Sequence, residues 1–149
     1  MIQSLRKLPH FKGIDSEQIG NLITRGLIRR HSYHKGVTVH EQNTICDGMD
    51  IVHSGKLIAY SLSSNGSETI VFEFKEDSII GANLLFGNQN KYPMNIYCTE
   101  DTVVYHISKI AIMELLRNYS FVIPFIQSLS LNSQGMNQKI AMYTQKSLR

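Results

Sequence analysis

The sequence has few cysteines, and their arrangement excludes several kinds of site. Cys46 and Cys98 are the only two in 149 residues, they lie far apart, and neither belongs to a C-x-x-C pair. Zinc knuckles, iron–sulfur clusters and disulfide scaffolds need more cysteines at closer spacing. We therefore expect two free thiols in a reducing compartment. Cys98 lies on a predicted strand, where a thiol usually packs as a small apolar side chain.

Long hydrophobic runs are also missing. The longest uninterrupted apolar stretches are about four residues, far below the roughly 20 residues with which a helix crosses a bilayer. The first residues, "MIQSLRKLPHFKG", lack the apolar centre of a signal peptide. We expect a cytoplasmic protein that has no membrane partner.

Signatures of catalysis are absent from the sequence as well. It contains no nucleophile elbow, no Walker loop and no paired-carboxylate motif. Asp47 and Asp50 flank a predicted turn, where carboxylates usually stabilise only the turn. We expect that the protein is not an enzyme and that it uses no metal or other cofactor.

The charge of the chain is low, with a formal net value of +3. Its one dense basic patch, "RGLIRRHSYHK", runs from Arg25 to Lys35. A solvated strand edge explains such a patch as well as a nucleic-acid footprint does. The charge alone therefore does not predict binding to DNA.

The first segment, residues 1–26, has the pattern of a helix. Asp15 is a good N-cap, and Gln18 stands three residues later, as a capping box requires. Ile19, Leu22 and Ile23 follow on one face, and a glycine at position 26 is a common helix stop.

Residues 27–108 have the pattern of an antiparallel β-barrel or jelly roll. Short β-branched or aromatic segments alternate here with turn dipeptides. Asn65-Gly66, between "KLIAYSL" and "ETIVFEF", is the strongest signal for a hairpin. "MNIYCTE" and "DTVVYHIS" predict a second hairpin that turns at Glu100-Asp101. We expect a mainly β fold with flanking helices.

Residues 109–149 return to a helical period. "KIAIMELLRNY" predicts a short helix, and Ser120 is the expected N-cap of a long one, with Pro124 in its first turn. Apolar positions in the long helix are spaced alternately by four and three, which is the pattern of a dimerising coiled coil. The positions of this seam are Val122, Ile126, Leu129, Ser133, Met136, Ile140, Tyr143 and Ser147. The alternative is a helix that packs on its own barrel. We expect one domain over residues 1–149, ending in a dimerisation helix.

One stretch, "GANLLFGNQNKYPMN", has features of a phosphate-binding turn. It begins with Gly81 inside an apolar run, as such turns do. It contains no Arg and no acidic residue, and its only charge is Lys91. The residues alone leave open a phosphate site, a site for another ligand, or a turn.

The order of these segments resembles the sensor half of Crp/Fnr-family transcriptional regulators. "LPHFKGIDSEQIGNLI" is similar to the opening of that family, and the Lys35-Gly36, Gly55-Lys56 and Asn65-Gly66 turns follow its barrel. "EDSIIGANLLF" matches the entry to its ligand cassette. The resemblance covers almost the whole chain and implies a cyclic-nucleotide-binding-like barrel. It also implies a homodimer that binds DNA through a winged helix-turn-helix, which this chain lacks. We expect a fragment of a longer regulator or a stand-alone sensor.

The cassette departs from the family at its two charged positions. Cyclic-nucleotide binders of the family use a Gly-Glu pair and, further on, an Arg, which bind the ribose and the phosphate. Gly81 falls on the family's glycine, but Ala82 falls where the Glu should be and Tyr92 where the Arg should be. An alanine and a phenol do not replace a carboxylate and a guanidinium. We therefore expect that cyclic AMP does not bind.

Aromatic and methionine residues around the cassette allow two interpretations. They fill the barrel core, or they form a pocket rebuilt for an unknown apolar or aromatic effector, with Tyr92 and Asn83 as its polar contacts. For the second interpretation, the expected ligand-binding residues are Gly81, Ala82, Asn83, Leu84, Tyr92, Pro93, Met94 and Met136.

Six histidines raise the alternative of a haem-based gas sensor, because some members of the resembled family carry haem. They are His10, His31, His34, His40, His53 and His106. Ordinary surface or singly hydrogen-bonded histidines are the simpler explanation. A further alternative is a dimerising interaction module whose pocket has lapsed. An effector-sensing and dimerisation domain of a regulator is the function that we favour.

Overall fold

The β region folds into two four-stranded antiparallel sheets in the computed structural model, which describes residues 1–62, 66 and 68–132. The strands of the first sheet, in spatial order, are β1 (Ile28–Tyr33), β8 (Thr102–Ser108), β3 (Gly48–Ser54) and β6 (Ile79–Ile80). Those of the second are β2 (Thr38–His40), β7 (Asn95–Cys98), β4 (Leu57–Leu62) and β5 (Glu68–Phe74). The mainly β fold class with flanking helices is confirmed.

The core lies between the two sheets. Ile51 and Val104 of the first sheet and Leu57 and Cys98 of the second belong to one buried cluster. The first five residues of β3 are all buried, so this strand is covered on both faces. Both thiols are free and buried, as the sequence predicts.

The hairpin predicted around Asn65-Gly66 is confirmed by the pairing of β4 with β5. Their register runs from Leu57 opposite Phe74 to Leu62 opposite Glu68, with a bulge between Ala59 and Tyr60. Gly66 adopts a φ of 83°, in the left-handed region that such a turn needs. Asn65 itself lies outside the described residues.

The second predicted hairpin is wrong. β7 pairs with β2 and β4, whereas β8 pairs with β1 and β3, so the two segments belong to different sheets. Residues 99–101 carry the chain across. Thr99 donates to the carbonyl of Lys56, and the amide of Lys56 donates to the hydroxyl of Thr102. This crossing packs against the β3–β4 turn, where a side chain on Gly55 would lie 2.4 Å from the carbonyl oxygen of Asp101.

Two helices, α1 (Ile2–Arg6) and α2 (Ser16–Thr24), precede the sheets. Asp15 occupies the N-cap position of α2, as predicted, but its side chain makes no capping hydrogen bond. Gly26 has a φ of 73° and ends the segment before β1. Ile19 and Leu22 bury the apolar face of α2 in the core.

Two helices also follow the sheets. Ser108 caps α3 (Lys109–Leu115) by accepting a hydrogen bond from the amide of Ala111. A second helix, here α4, occupies residues 119–132 of the described chain. It begins at Tyr119, so the predicted cap at Ser120 is wrong: the carbonyl of Asn118 accepts from the amides of Phe121 and Val122. No described helix is long and apolar enough to cross a membrane.

The face that α4 turns to its own core is aromatic. Phe121 is fully buried, and its ring lies 5.9 Å from that of Phe11 and 5.8 Å from that of Phe125. Of the predicted seam, Val122 and Leu129 are half-buried and Ile126 is 49% exposed. The remaining seam positions, Ser133, Met136, Ile140, Tyr143 and Ser147, lie outside the described residues.

We predict that Phe121→Ala lowers the free energy of unfolding by about 3–5 kcal/mol, because it opens a cavity under α4 that neighbouring rings cannot close. Urea unfolding followed by circular dichroism measures the loss. Tyr119→Ala is the matched control on the same helix, since this ring is 78% exposed and its removal should change the value by less than about 0.5 kcal/mol. Equal effects of the two substitutions would contradict this packing.

Candidate functional site

The cassette begins where β6 ends, at Gly81, and the backbone there requires glycine. Its φ is 91°, and a Cβ at this position would lie 2.9 Å from Cys46 Sγ and 3.0 Å from the carbonyl oxygen of Gly48. Residues 82–86 form consecutive turns, with Leu84 N donating to the Gly81 carbonyl at 3.0 Å. The cassette therefore continues from Gly81 as turns.

Tyr92, at the position expected for the family's arginine, turns into the barrel. Its side chain is 1% exposed, and its ring stacks on that of His40 at a centroid distance of 4.1 Å. The hydroxyl lies 3.3 Å from His40 Nε2 and is hydrogen-bonded to Cys46. Tyr92 is thus not a free polar contact for a ligand, contrary to the expectation.

Burial also fixes the charge of this side chain. Loss of hydration raises the pKa of the Tyr92 phenol far above its ordinary value, with the hydrogen bond to Cys46 acting in the same direction. Burial likewise raises the pKa of the Cys46 thiol. Both groups are neutral near pH 7, so neither offers a charge to a phosphate.

Above Tyr92 lies a cavity of about 90 Å³, between the cassette, the second sheet and the end of the described part of α4. Its lining residues are Ala59, Phe72, Phe74, Ile79, Ile80, Gly81, Asn83, Leu84, Tyr92, Pro93, Met94, Ile96 and Asn132. We call it the cassette cavity. None of these lining residues carries a charge.

Most of the predicted ligand-binding residues border this cavity. Gly81, Asn83, Leu84, Tyr92, Pro93 and Met94 line it. Ala82 does not, since its methyl group is buried in the core cluster. Met136 lies outside the described residues. Binding of a ligand by these residues stays a prediction.

Beneath the cassette, a buried carboxylate joins the two sheets. Asp50 is 2% exposed, and its Oδ1 accepts from Nδ1 of His106 at 2.7 Å while its Oδ2 accepts from Nε2 of His40. Asp50 and His106 belong to the first sheet and His40 to the second. The expectation that Asp50 serves only a turn is wrong, because its side chain lies inside the barrel on β3.

These contacts determine the protonation states of Asp50 and His106. Burial alone would raise the pKa of Asp50, but hydrogen bonds from His106 and His40 outweigh it and hold the pKa below its ordinary value. Burial alone would lower the pKa of His106, but Asp50 and then Asp47, whose Oδ1 lies 3.2 Å from His106 Nε2, raise it. Since both ring nitrogens of His106 face carboxylates, the imidazolium form fits the site.

One signal in the sequence could have revealed this cluster. Asp50 lies inside the apolar run "GMDIV". A strand with apolar residues on both faces is expected to be buried on both faces. An ionised carboxylate on such a strand needs partners, and histidines on other strands are the available ones.

The other histidines do not join the cluster directly. His31 lies with its ring 6.2 Å from that of His106, the ring of His53 packs at a tilt on that of Tyr105, and His10 lies under α4. The side chain of His34 is 95% exposed.

Two facing antiparallel sheets, with a glycine turn and a helix that border a cavity at one end, define a β-barrel with flanking helices. The model of the cyclic nucleotide-binding domain family matches residues 30–119, more than half of the chain. The chain belongs to this family, and the resemblance to Crp/Fnr sensor domains is confirmed.

Solved structures share this fold at low sequence identity. A transcriptional regulator from Thermotoga maritima is 20% identical with a TM-score of 0.71, over 85% of this chain and 98% of that one. The sensor domain of the regulator DNR from Pseudomonas aeruginosa is 19% identical with a TM-score of 0.72, over 93% and 90%. The catabolite activator protein of Thermus thermophilus is 15% identical with a TM-score of 0.71, over 92% and 63%. No curated protein gives a significant match to the sequence.

We predict that His106 makes the stability of the protein depend on pH above neutrality. Its folded pKa is raised above 6.5, so its contribution is complete below about pH 6.5 and is lost as the pH rises through the folded value. His106→Gln should remove this slope, and should cost about 3–5 kcal/mol because Asp50 then loses a charged partner. Urea unfolding between about pH 5.5 and 8.5 tests both effects.

His34→Gln is the matched control for this experiment. The side chain of His34 is exposed, so the control should keep the slope and the stability of the unmodified protein. A variant lacking His106 that retains the full slope would contradict the assignment of the titration to this residue.

Proposed function

We propose that this chain is the effector-sensing and dimerisation domain of a Crp/Fnr-like transcriptional regulator, and that its effector is small, uncharged and apolar. One observation carries the proposal: none of the described residues that line the cassette cavity is charged. A pocket of this composition favours apolar ligands and disfavours a phosphate, whose charge would be buried without a partner.

The two cassette positions support the exclusion of cyclic nucleotides. Ala82 is 7% exposed and packs in the core, while the Tyr92 hydroxyl is already engaged by Cys46 and His40. Lys91 is exposed and does not line the cavity. No cation of the described lining is therefore placed to pair with a cyclic phosphate.

The size of the cavity restricts the effector further. At about 90 Å³ it is smaller than an apolar cavity of about 150 Å³ that holds benzene in another protein. An effector of one ring or less fits if the walls move slightly. Asn132 of α4 borders the cavity, so a movement of the cavity walls would also displace this helix.

The surface of α4 supports dimerisation. Tyr119, Ile123 and Ile126 are 78%, 41% and 49% exposed, and they recur at a spacing of four and three along one side. Exposed apolar rows of this kind usually mark an interface. In the proposed mechanism, the bound effector favours one placement of α4. In a longer protein, the two paired helices would then set the positions of the DNA-reading domains.

We predict that calorimetry detects no binding of cyclic AMP or cyclic GMP, whereas fluorobenzene binds and broadens its ¹⁹F NMR signal. The physical reason is the uncharged lining of the cavity. Micromolar binding of either nucleotide would refute the proposal.

Met94→Phe should abolish the fluorobenzene response by filling the cavity from its wall. Met113→Phe is the matched control, since Met113 is 56% exposed on α3 and away from the cassette cavity. Loss of binding in the control would show that the probe binds elsewhere.

We predict that Ile126→Glu shifts the protein from dimer to monomer, because it places a charge in the apolar row. Light scattering at about ten times the dissociation constant of the unmodified dimer measures the mass. Gln42→Glu adds the same charge at an exposed position outside α4 and should leave the dimer intact. A monomeric mass for the unmodified protein would refute dimerisation.

The small volume of the cassette cavity favours a second candidate, an interaction module whose pocket has lapsed. In that case Tyr92 acts as a permanent filler for the family's ligand site. A dimer that gives no response to fluorobenzene would favour this candidate over an effector sensor.

A further inference from the structure

A larger cavity lies on the other side of α4. Its volume is about 510 Å³, and its walls are the segment after α1, the exposed ends of β3 and β6, and α4. We call it the α4 cavity. Its size is in the range of pockets for small organic molecules. The cassette, with Gly81 and Tyr92, contributes nothing to its lining.

A buried histidine supplies this cavity with a hydrogen-bond acceptor. His10 is 5% exposed, and its Nε2 lies 2.7 Å from Ser128 Oγ. The single hydroxyl proton of Ser128 is donated to the carbonyl of Pro124 at 3.0 Å. With its hydroxyl proton in this position Ser128 accepts from His10, and we therefore assign the proton of the neutral imidazole to Nε2. Burial lowers the pKa of His10 to about 4, so the ring is neutral near pH 7.

The other ring nitrogen, Nδ1, is consequently a bare acceptor. No hydrogen bond to it is formed by the described residues. In the described part of the chain no buried side-chain nitrogen or oxygen is left unpaired, so Nδ1 is accessible, and His10 lines the α4 cavity. A donor group of a ligand in the cavity would satisfy this nitrogen.

Carboxylates dominate the charged groups at the rim. Glu76 and Asp77 line the cavity, and neither has a hydrogen bond or ion pair from its side chain among the described residues. Among the described residues of the lining, the one ammonium group is that of Lys7. His53, also in the lining, packs on Tyr105 with ring centroids 5.2 Å apart and ring planes tilted by 46°. Two acids against one lysine favour a cation over an anion.

The remaining walls are largely apolar. Ile51 is buried, and Leu8 and Ile79 are half-buried against the core. Pro124 and Leu131 complete this surface from α4, and Leu131 is 67% exposed. The apolar body of a ligand would cover these side chains.

We propose that the α4 cavity is a second ligand site, which binds an organic amine with an apolar body. The amine is held by Glu76 and Asp77, a donor of the ligand meets His10 Nδ1, and the body packs on Leu8, Ile79 and Leu131. This site shares Ile79 with the cassette cavity but is otherwise lined by different residues, so either site can fail without the other.

The two sites meet at α4. A helix turns by about 100° per residue, which places Pro124, Gln127 and Leu131 on one flank and Val122, Ile126 and Leu129 on the other. The first flank borders the α4 cavity, and the second is the predicted seam. An amine would therefore act on α4 without lying in the proposed dimer interface.

Tryptamine is a suitable probe because the protein contains no tryptophan, so indole fluorescence reports the ligand alone. We expect its anisotropy to rise saturably on titration with the full chain, whereas indole-3-propionate, an anion with the same ring, should bind at least about threefold more weakly. The double substitution E76Q/D77N should weaken tryptamine binding about fivefold, and added salt should weaken it too. His10→Phe keeps a ring against Phe121, removes the acceptor, and should weaken binding about fivefold.

The control E41Q/E100Q makes the same change in net charge at exposed sites away from the α4 cavity and should leave the affinity unchanged. Met94→Phe should also leave it unchanged, which separates this site from the cassette cavity. Failure of tryptamine to bind saturably would overturn the proposal, as would equal affinities for the unmodified protein and E76Q/D77N. Loss of tryptamine binding in Met94→Phe would place the amine in the cassette cavity and overturn it as well.

Discussion

The hydrogen-bonded carboxylate of Asp50 is the constraint on which the rest of this barrel depends. Its two oxygens are held by His106 from the same sheet and by His40 from the opposite one. An ionised group this deep is tolerated only while both partners stay in place, because loss of one leaves charge buried without compensation. These hydrogen bonds fix the position of one sheet relative to the other at Asp50. Apolar packing is less directional and would allow more than one relative position.

The cassette is built directly on this cluster. His40 stacks under Tyr92, the Tyr92 hydroxyl reaches Cys46, and Cys46 lies against Gly81. The Tyr92 hydroxyl and the Cys46 thiol make their hydrogen bonds inside the barrel, so they are not directed into the cassette cavity. The surface left facing the cassette cavity is apolar, and this difference in direction is the physical basis for proposing an uncharged effector.

Features set by short-range chemistry were predictable from the sequence. Asn65-Gly66 placed a hairpin correctly because Gly66 readily adopts the left-handed backbone of a tight connection between β4 and β5. The segments on either side of Glu100-Asp101 looked equally like a hairpin, but they separate into two sheets because Thr99 and Thr102 bind Lys56 across the barrel. Asp50 was misjudged for the same reason, since its partners are 10 and 56 residues away. The inward turn of Tyr92 depends on those same distant contacts.

The glycine at position 81 has a consequence for how such a domain can diverge. No side chain fits there, because Cys46 and the carbonyl of Gly48 already occupy the space and the backbone is left-handed. Mutation is therefore blocked at Gly81 and is open at other positions of the cassette. Ala82 and Tyr92 show that both charged recognition positions can be replaced while the barrel persists. The residues that would select a ligand are therefore distinct from those that maintain the fold. Ligand preference can change by mutation while every intermediate sequence still folds.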